Sequence, residues 1–88
     1  MRWELYGFVM ASQHRIKIVR ALEVGPSSPK QISQKTDLHL SHVSKTLKDL
    51  ETNGVVSCLT PALRRGRMYN LTKEGTDILQ QINKRIFK

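Results

Sequence analysis

Residues 38–53 read LHLSHVSKTLKDLETN, and Gly54 follows them. The apolar residues of this stretch recur at i, i+3, i+7 and i+10: Leu40, Val43, Leu47 and Leu50. That spacing lays an apolar stripe along one side of an α-helix. Gly54 stands where a glycine in the left-handed conformation commonly ends a helix. The pattern therefore predicts a helix over about residues 39–53 with one side buried.

The other side of this predicted helix carries mostly short or basic polar residues: His39, Ser41, His42, Ser44, Lys45 and Lys48. Acidic residues appear only in its second half, at Asp49 and Glu51. Hydrogen-bonding groups near the N-terminal end of a helix that is held from behind are suited to reading base edges in the major groove of DNA. The same spacing also fits an ordinary amphipathic surface helix, and this stretch alone does not separate the two interpretations.

The composition indicates a small basic domain. The chain has 88 residues, with 15 Lys and Arg against 7 Asp and Glu, and its formal net charge is +8. A chain of this size buries only ~60–65% of the surface that its unfolded form exposes, so contact with a second subunit would add useful burial. The charge favours a polyanionic partner. A scattered charge on a soluble basic protein is the alternative, but seven basic and three acidic residues lie within 30–67.

Three features of the sequence indicate the cellular compartment. No apolar run approaches the ~20 residues of a membrane span. The N-terminal sequence MRWELYGFVM lacks the small-residue cleavage site of a signal peptide. The single cysteine, Cys58, excludes an internal disulfide and fits a reducing compartment. We therefore expect a cytoplasmic protein in which Cys58 is a small buried hydrophobic residue.

The N-terminal part of the chain predicts two helices. Residues 3–10 are apolar on nearly all sides, so this short helix must be covered, either by its own domain or by another subunit. Ser12 is a good N-cap for a second helix over residues 13–23, in which Ile16, Val19 and Leu22 share one side. The Gly-Pro pair at 25–26 ends it.

Ser28 opens the next helix. Pro29 stands at the first helical position and Gln31 completes a Ser-x-x-Gln capping box. This helix is short, about residues 29–35, and Ile32 is its main apolar contact. The turn at 36–38 leads into the helix described first, so the middle of the chain predicts a helix-turn-helix.

After Gly54 the pattern changes to that of a β-hairpin. Residues 55–60 and 67–71 have the short, β-branched or aromatic character of strands, and the loop between them contains Pro61 and Gly66. Three arginines surround the tip: Arg64, Arg65 and Arg67. Few carboxylates lie nearby in sequence, so these arginines suit phosphate oxygens or a narrow minor groove. The alternative is a solvated loop.

Thr72 is the predicted cap of the last helix, which runs from residue 73 to about 87. Its apolar residues lie at i, i+1, i+4 and i+8: Ile78, Leu79, Ile82 and Ile86. This stripe is a candidate dimer seam, and packing on the domain's own core explains it nearly as well.

The sequence gives no support to catalysis or to a cofactor. It contains no Gly-rich phosphate loop, no convergent carboxylate pair and no nucleophile with a plausible base. His39 and His42 stand at i and i+3, but no carboxylate or thiol at ligand spacing completes a metal site. We expect a protein that is not an enzyme and holds no metal.

The order helix–helix–helix–strand–wing–strand–helix resembles the winged helix-turn-helix of ArsR/MarR-type transcriptional regulators, especially small versions frequent in archaea. The resemblance is carried by ASQHR at 11–15, HVSKTLKDLE at 42–51 with NGVV at 53–56, RGRMY at 65–69 and LTKEG at 71–75. A Ser or Thr cap is common at the start of the family's recognition helix, and His39 stands there in this chain. Metal-sensing relatives have paired cysteines in that helix, and this sequence has none.

The resemblance implies a role for each polar surface. It implies base-edge contacts for His39, Ser41, His42 and Lys45. It implies phosphate contacts for Ser44, Lys48 and Lys30. It implies a wing, about residues 60–67, whose Arg64, Arg65 and Arg67 touch the minor groove or the backbone. It implies a two-fold dimer through the terminal helices, with Trp3, Tyr6, Met10, Ile78, Leu79, Ile82 and Ile86 as interface candidates.

The expected fold is mainly α with a small β-hairpin (α+β), a single winged-helix domain over 1–88 with terminal segments 1–11 and 73–88 as dimerisation elements. The expected function is a homodimeric, sequence-specific regulator of transcription bound to double-stranded DNA, with no effector ligand identified. The alternative is a winged-helix interaction module of a larger assembly that uses its basic face for RNA or an acidic protein, because a fold does not fix a function.

Overall fold

Five α-helices and one β-hairpin make up the part of the chain that the structure, a computed structural model, describes: residues 1–86, with the side chains of residues 1–85. In chain order the elements are α1 (Trp3–Met10), α2 (Gln13–Ala21), a 3-10 turn (Leu22–Val24), α3 (Pro29–Thr36), α4 (Leu40–Thr52), β1 (Val56–Cys58), β2 (Tyr69–Leu71) and α5 (Lys73–Ile86). The predicted fold class is confirmed. The predicted end of the last helix near Phe87 lies outside the described residues, as does the side chain of Ile86.

Three of the helices, α2, α3 and α5, begin at the predicted caps. The Ser12 hydroxyl accepts the Arg15 N–H at 3.4 Å, and Ser28 and Gln31 form the complete capping box that opens α3. The Thr72 hydroxyl accepts the Gly75 N–H at 3.1 Å and opens α5. It also donates to the Gly54 carbonyl at 2.6 Å, which links the start of α5 to the end of α4.

The turn between α3 and α4 is fixed by side chains rather than by burial. Asp37 takes the left-handed conformation with φ 61°, which Asp tolerates better than most residues. The Ser33 hydroxyl donates to the Leu38 carbonyl at 2.5 Å, and the Thr36 hydroxyl accepts the Leu38 N–H at 3.3 Å. These bonds replace helical hydrogen bonds at the end of α3 and hold α4 in one orientation.

The hairpin is antiparallel and shorter than predicted, with Val56 opposite Leu71 and Cys58 opposite Tyr69. Pairing continues irregularly beyond β1, since the Leu59 N–H donates to the Met68 carbonyl at 2.8 Å. A third segment was missed by the sequence analysis: Ser27 and Tyr69 exchange both backbone hydrogen bonds, at 3.0 and 2.9 Å. This bridge joins the hairpin to the segment that precedes α3.

One apolar core receives side chains from every helix and both strands. Val43, Leu47 and Leu50 of α4 are fully buried, as the i, i+4, i+7 spacing predicted. In α2 the prediction was incomplete, because Ile16 is only half-buried while Ile18 is fully buried beside Val19. None of the helices within residues 1–86 is long and apolar enough to cross a membrane.

The terminal helices pack against the same core. The Arg15 guanidinium donates to the Phe8 carbonyl at 2.7 Å and lies 3.9 Å from the centre of the Phe8 ring, so it joins α1 to α2. Arg85 of α5 donates to the Tyr6 hydroxyl at 3.4 Å. Only Trp3, 60% exposed, and Met10, 37% exposed, are left largely uncovered among the apolar residues of α1.

The predicted dimer surface on α5 is wrong for three residues. Ile78, Leu79 and Ile82 are buried within the chain's own core, so they are not available to a second subunit. Tyr6 of α1 is buried in the same way, at 8% exposure. The physical reason is that an 88-residue chain has few elements to cover its hairpin, and the stripe of α5 is used for that purpose.

Gly75 provides a stability test of the contact between α5 and the hairpin. A Cβ at this buried position would clash with the Val55 carbonyl oxygen and lie 3.1 Å from Leu71 Cδ2. We expect Gly75→Ala to lower the free energy of unfolding by about 2 kcal/mol, because backbone must move to admit the methyl group. Urea unfolding followed by circular dichroism measures this change.

Gly7→Ala is the matched control. Gly7 lies exposed within α1, and a Cβ there meets nothing within 4 Å. This substitution should raise the free energy of unfolding by roughly 0.5–1 kcal/mol through helix propensity. Equal effects of the two substitutions would contradict the close approach of α5 to Val55.

Candidate nucleic-acid interface

The exposed face of α4 is polar over its whole length. Successive residues of an α-helix are rotated by about 100°, and the buried residues of α4 fall on one side: Val43, Thr46, Leu47 and Leu50. Ser41, Lys45 and Lys48 point roughly the opposite way and are exposed. His39, His42 and Ser44 are exposed as well, so all six polar residues selected on α4 or at its cap lie at the surface.

One flank of this face adjoins the hairpin loop. Leu40 and Ser44 line a groove together with Pro29 and Lys30 of α3 and with Arg64, Arg65, Gly66 and Arg67 of the loop. The structure thus brings the phosphate candidates Ser44 and Lys30 together with the predicted wing. The prediction that Leu40 belongs to the buried stripe is wrong, because its side chain is 48% exposed. The reason is its place in the first turn, where α4 extends past the core.

The other flank of α4 adjoins α2. The ring of His42 stacks on the ring of His14, with centroids 5.2 Å apart and planes at 26°. The ring of His39 meets that of His42 edge-on at 6.2 Å. Arg15, Lys45 and Asp49 line the same shallow depression. The sequence pattern does not point to His14, because 28 positions separate it from His42 and only the packing of α2 on α4 joins them.

The three wing arginines are not equivalent. Arg64 and Arg65 are exposed. Arg67 is half-buried, and its guanidinium donates to the Leu63 carbonyl at 2.6 Å and to the Pro61 carbonyl at 3.3 Å. Hydrogen bonding with Tyr69 raises the pKa of Arg67. Arg67 therefore closes the loop that presents Arg64 and Arg65, and its own contact with DNA stays a prediction.

Within the described residues, the histidines and Cys58 do not combine with other residues into a metal site. No group of three or more His, Cys, Asp and Glu residues able to hold a metal ion occurs in residues 1–86. His39 has no side-chain capping bond to α4, in keeping with its weak capping chemistry. Cys58 is half-buried and packs against the core from β1.

Comparison with known proteins identifies the class of this fold. TubR from Bacillus thuringiensis serovar israelensis, in a structure bound to 24 bp of tubC, superposes with a TM-score of 0.79 at 15% identity, covering 94% of this chain and 92% of that one. The reduced transcriptional regulator YodB from B. subtilis superposes with a TM-score of 0.77 at 22% identity, covering 93% and 82%. At these identities the likeness establishes the fold, a winged helix-turn-helix.

The family follows from the sequence itself. The family model for bacterial regulatory proteins of the arsR family matches residues 12–57, which span α2, α3 and α4 and end within β1. A protein of Bacillus subtilis (strain 168) described as the uncharacterized HTH-type transcriptional regulator YdgG is 31% identical over 84 residues, covering 91% of this chain. This chain spans 55% of that protein's length. The chain belongs to the arsR family of bacterial regulatory proteins.

Proposed function

We propose that this protein is a sequence-specific, double-stranded DNA-binding regulator of transcription that acts in the cytoplasm, without catalysis and without a cofactor. The observation that carries the proposal is the groove in which the exposed flank of α4 meets Lys30, Arg64 and Arg65. Membership of a regulatory family supports it, as does the likeness in fold to TubR, whose structure contains DNA.

The geometry supports a division of roles. Ser41 and Lys45, on the outward face of α4, would reach base edges in the major groove. His39 and His42, at the start of the helix, would do the same. Lys48 extends from the same outward face and Ser44 and Lys30 from the groove, where phosphates would pass. Arg64 and Arg65 would hold the backbone or enter the minor groove beside it.

We further propose a homodimer, with one α4 in each half-site and half-sites ~10 bp apart or a multiple of that distance. The support is on α1, where Trp3 and Met10 remain exposed although Leu5, Tyr6 and Val9 of the same helix are buried. Trp3 and Met10 are seven residues apart, which places them on the same side of α1, and exposed apolar patches mark interaction surfaces.

The dimer gives a separate prediction. Trp3→Glu should convert a dimer to a monomer, because a charge cannot be buried in an apolar interface without a partner. Sedimentation velocity at micromolar concentration measures the change. Val24→Glu is the matched control, since Val24 is 76% exposed and lies outside α1. A wild-type protein that sediments as a monomer, or a Trp3→Glu variant that stays dimeric, would contradict this assignment.

The function is tested by fluorescence anisotropy with three probes at two salt concentrations: a duplex selected from the source genome, a random duplex and single-stranded RNA. We expect preference for the selected duplex. If a dimer contacts ~8 phosphates, log K should fall with log salt at a slope of about −7. Equal, wholly salt-labile binding to all three probes would instead favour an interaction module for RNA or an acidic partner.

A further inference from the structure

We propose that Leu40 is a specificity-determining residue that recognises the 5-methyl group of a thymine in each half-site. The inference rests on the proposed function and names one base that the interface selects. It concerns an apolar residue, whereas the DNA contacts proposed above all belong to polar or charged side chains.

The position of Leu40 is unusual for a leucine. It is the first residue of α4 and is 48% exposed, while Val43, Leu47 and Leu50 of the same helix are fully buried. Rotation by about 100° per residue places Leu40 on the flank of α4 between the buried Leu47 and the exposed Ser44. A lone exposed leucine is common on protein surfaces. This one lies in the first turn of α4, next in sequence to His39 and Ser41, and lines the groove with Ser44, Lys30 and the wing arginines.

The groove around Leu40 has an apolar floor and a basic rim. Leu40 lines it together with Pro29 and the largely buried Tyr69. Lys30, Arg64 and Arg65 form the rim. Charge complementarity therefore selects a polyanion as the occupant, with its phosphates at the rim.

The apolar residues of the groove floor then determine which base edge can lie against them. In the major groove the base edges present hydrogen-bonding groups and one apolar group, the C5-methyl of thymine. A polar base edge against Leu40 would lose its water without gaining a partner. A thymine methyl is the base-edge group whose burial against the leucine stabilises the complex. Leu40 would thus favour A·T or T·A at one position, while its neighbours on α4 read hydrogen bonds.

The experiment removes the methyl group alone. A duplex selected from random sequence by the wild-type protein is compared with copies in which single thymines are replaced by deoxyuridine. At one thymine per half-site the wild-type protein should lose about fourfold in affinity (~0.8 kcal/mol, at 1.4 kcal/mol per tenfold). Leu40→Ala should bind the thymine and deoxyuridine forms equally.

Leu59→Ala is the matched control, because Leu59 is 51% exposed and is not among the residues that line the groove. It should keep the fourfold ratio of the wild-type protein. The inference is overturned if the wild-type protein ignores every thymine methyl, or if Leu40→Ala still distinguishes the two duplexes as the wild-type protein does. Failure of the wild-type protein to select any duplex would refute the proposed function instead.

Discussion

Replacing both Arg64 and Arg65 with alanine should lower the affinity for all duplexes by roughly a thousandfold at ~0.1 M salt. If each arginine contacts one phosphate, a dimer loses four contacts and the slope of log K against log salt becomes shallower by about 3.6. Both side chains are exposed on a loop that Arg67 closes, so the substitutions should leave the fold intact. Anisotropy titrations over a range of salt concentrations measure the affinity and the slope together.

The control separates local contacts from net charge. Lys17 and Lys35 are exposed and line a different depression, between α2 and α3. Replacing both with alanine removes the same charge and should change the affinity far less. An equal loss for the two double variants would show that the wing arginines act only through the overall charge of the protein.

Replacing Lys45 with alanine should reduce the preference for the selected duplex over a random one. Lys45 projects directly away from the buried side of α4, and a good side-chain pair with a base edge contributes ~1–3 kcal/mol of discrimination. Two half-sites double that contribution, so the ratio of affinities should fall by roughly 25-fold or more. His42→Ala should act in the same direction.

Lys84→Ala serves as the control for this second prediction, since Lys84 is an exposed lysine of α5. It should leave the ratio of affinities close to that of the wild-type protein. If Lys45→Ala and His42→Ala kept full sequence preference while the wing variant lost it, the assigned roles of helix and wing would be reversed.

The features predicted well from the sequence depend on neighbours in the chain. The cap at Ser28, the helix end at Gly54 and the buried stripe from Val43 to Leu50 each need only a few adjacent residues. Local chemistry also explains the two exposed wing arginines, since few carboxylates lie near them in sequence. Together with the order of helices and strands and the family resemblance, these features predicted the winged fold.

The features predicted wrongly depend on packing between distant segments. The apolar stripe of α5 could have faced a partner or its own domain. It packs on its own domain, because the hairpin lies beneath it. Periodicity assigned Leu40 to the core, although the core ends before the first turn of α4. The stack of His14 on His42 and the bonds of Arg67 to the wing carbonyls likewise appear only after folding.

The central claim is that α4 occupies the major groove of the duplex that the wing contacts. Substituting single purines of a selected duplex with 7-deazaguanine or 7-deazaadenine removes the N7 acceptor, which lies only in the major groove. We predict two clusters of sensitive purines whose centres are ~10 bp apart or a multiple of that. Binding unchanged at every substituted purine would contradict the claim.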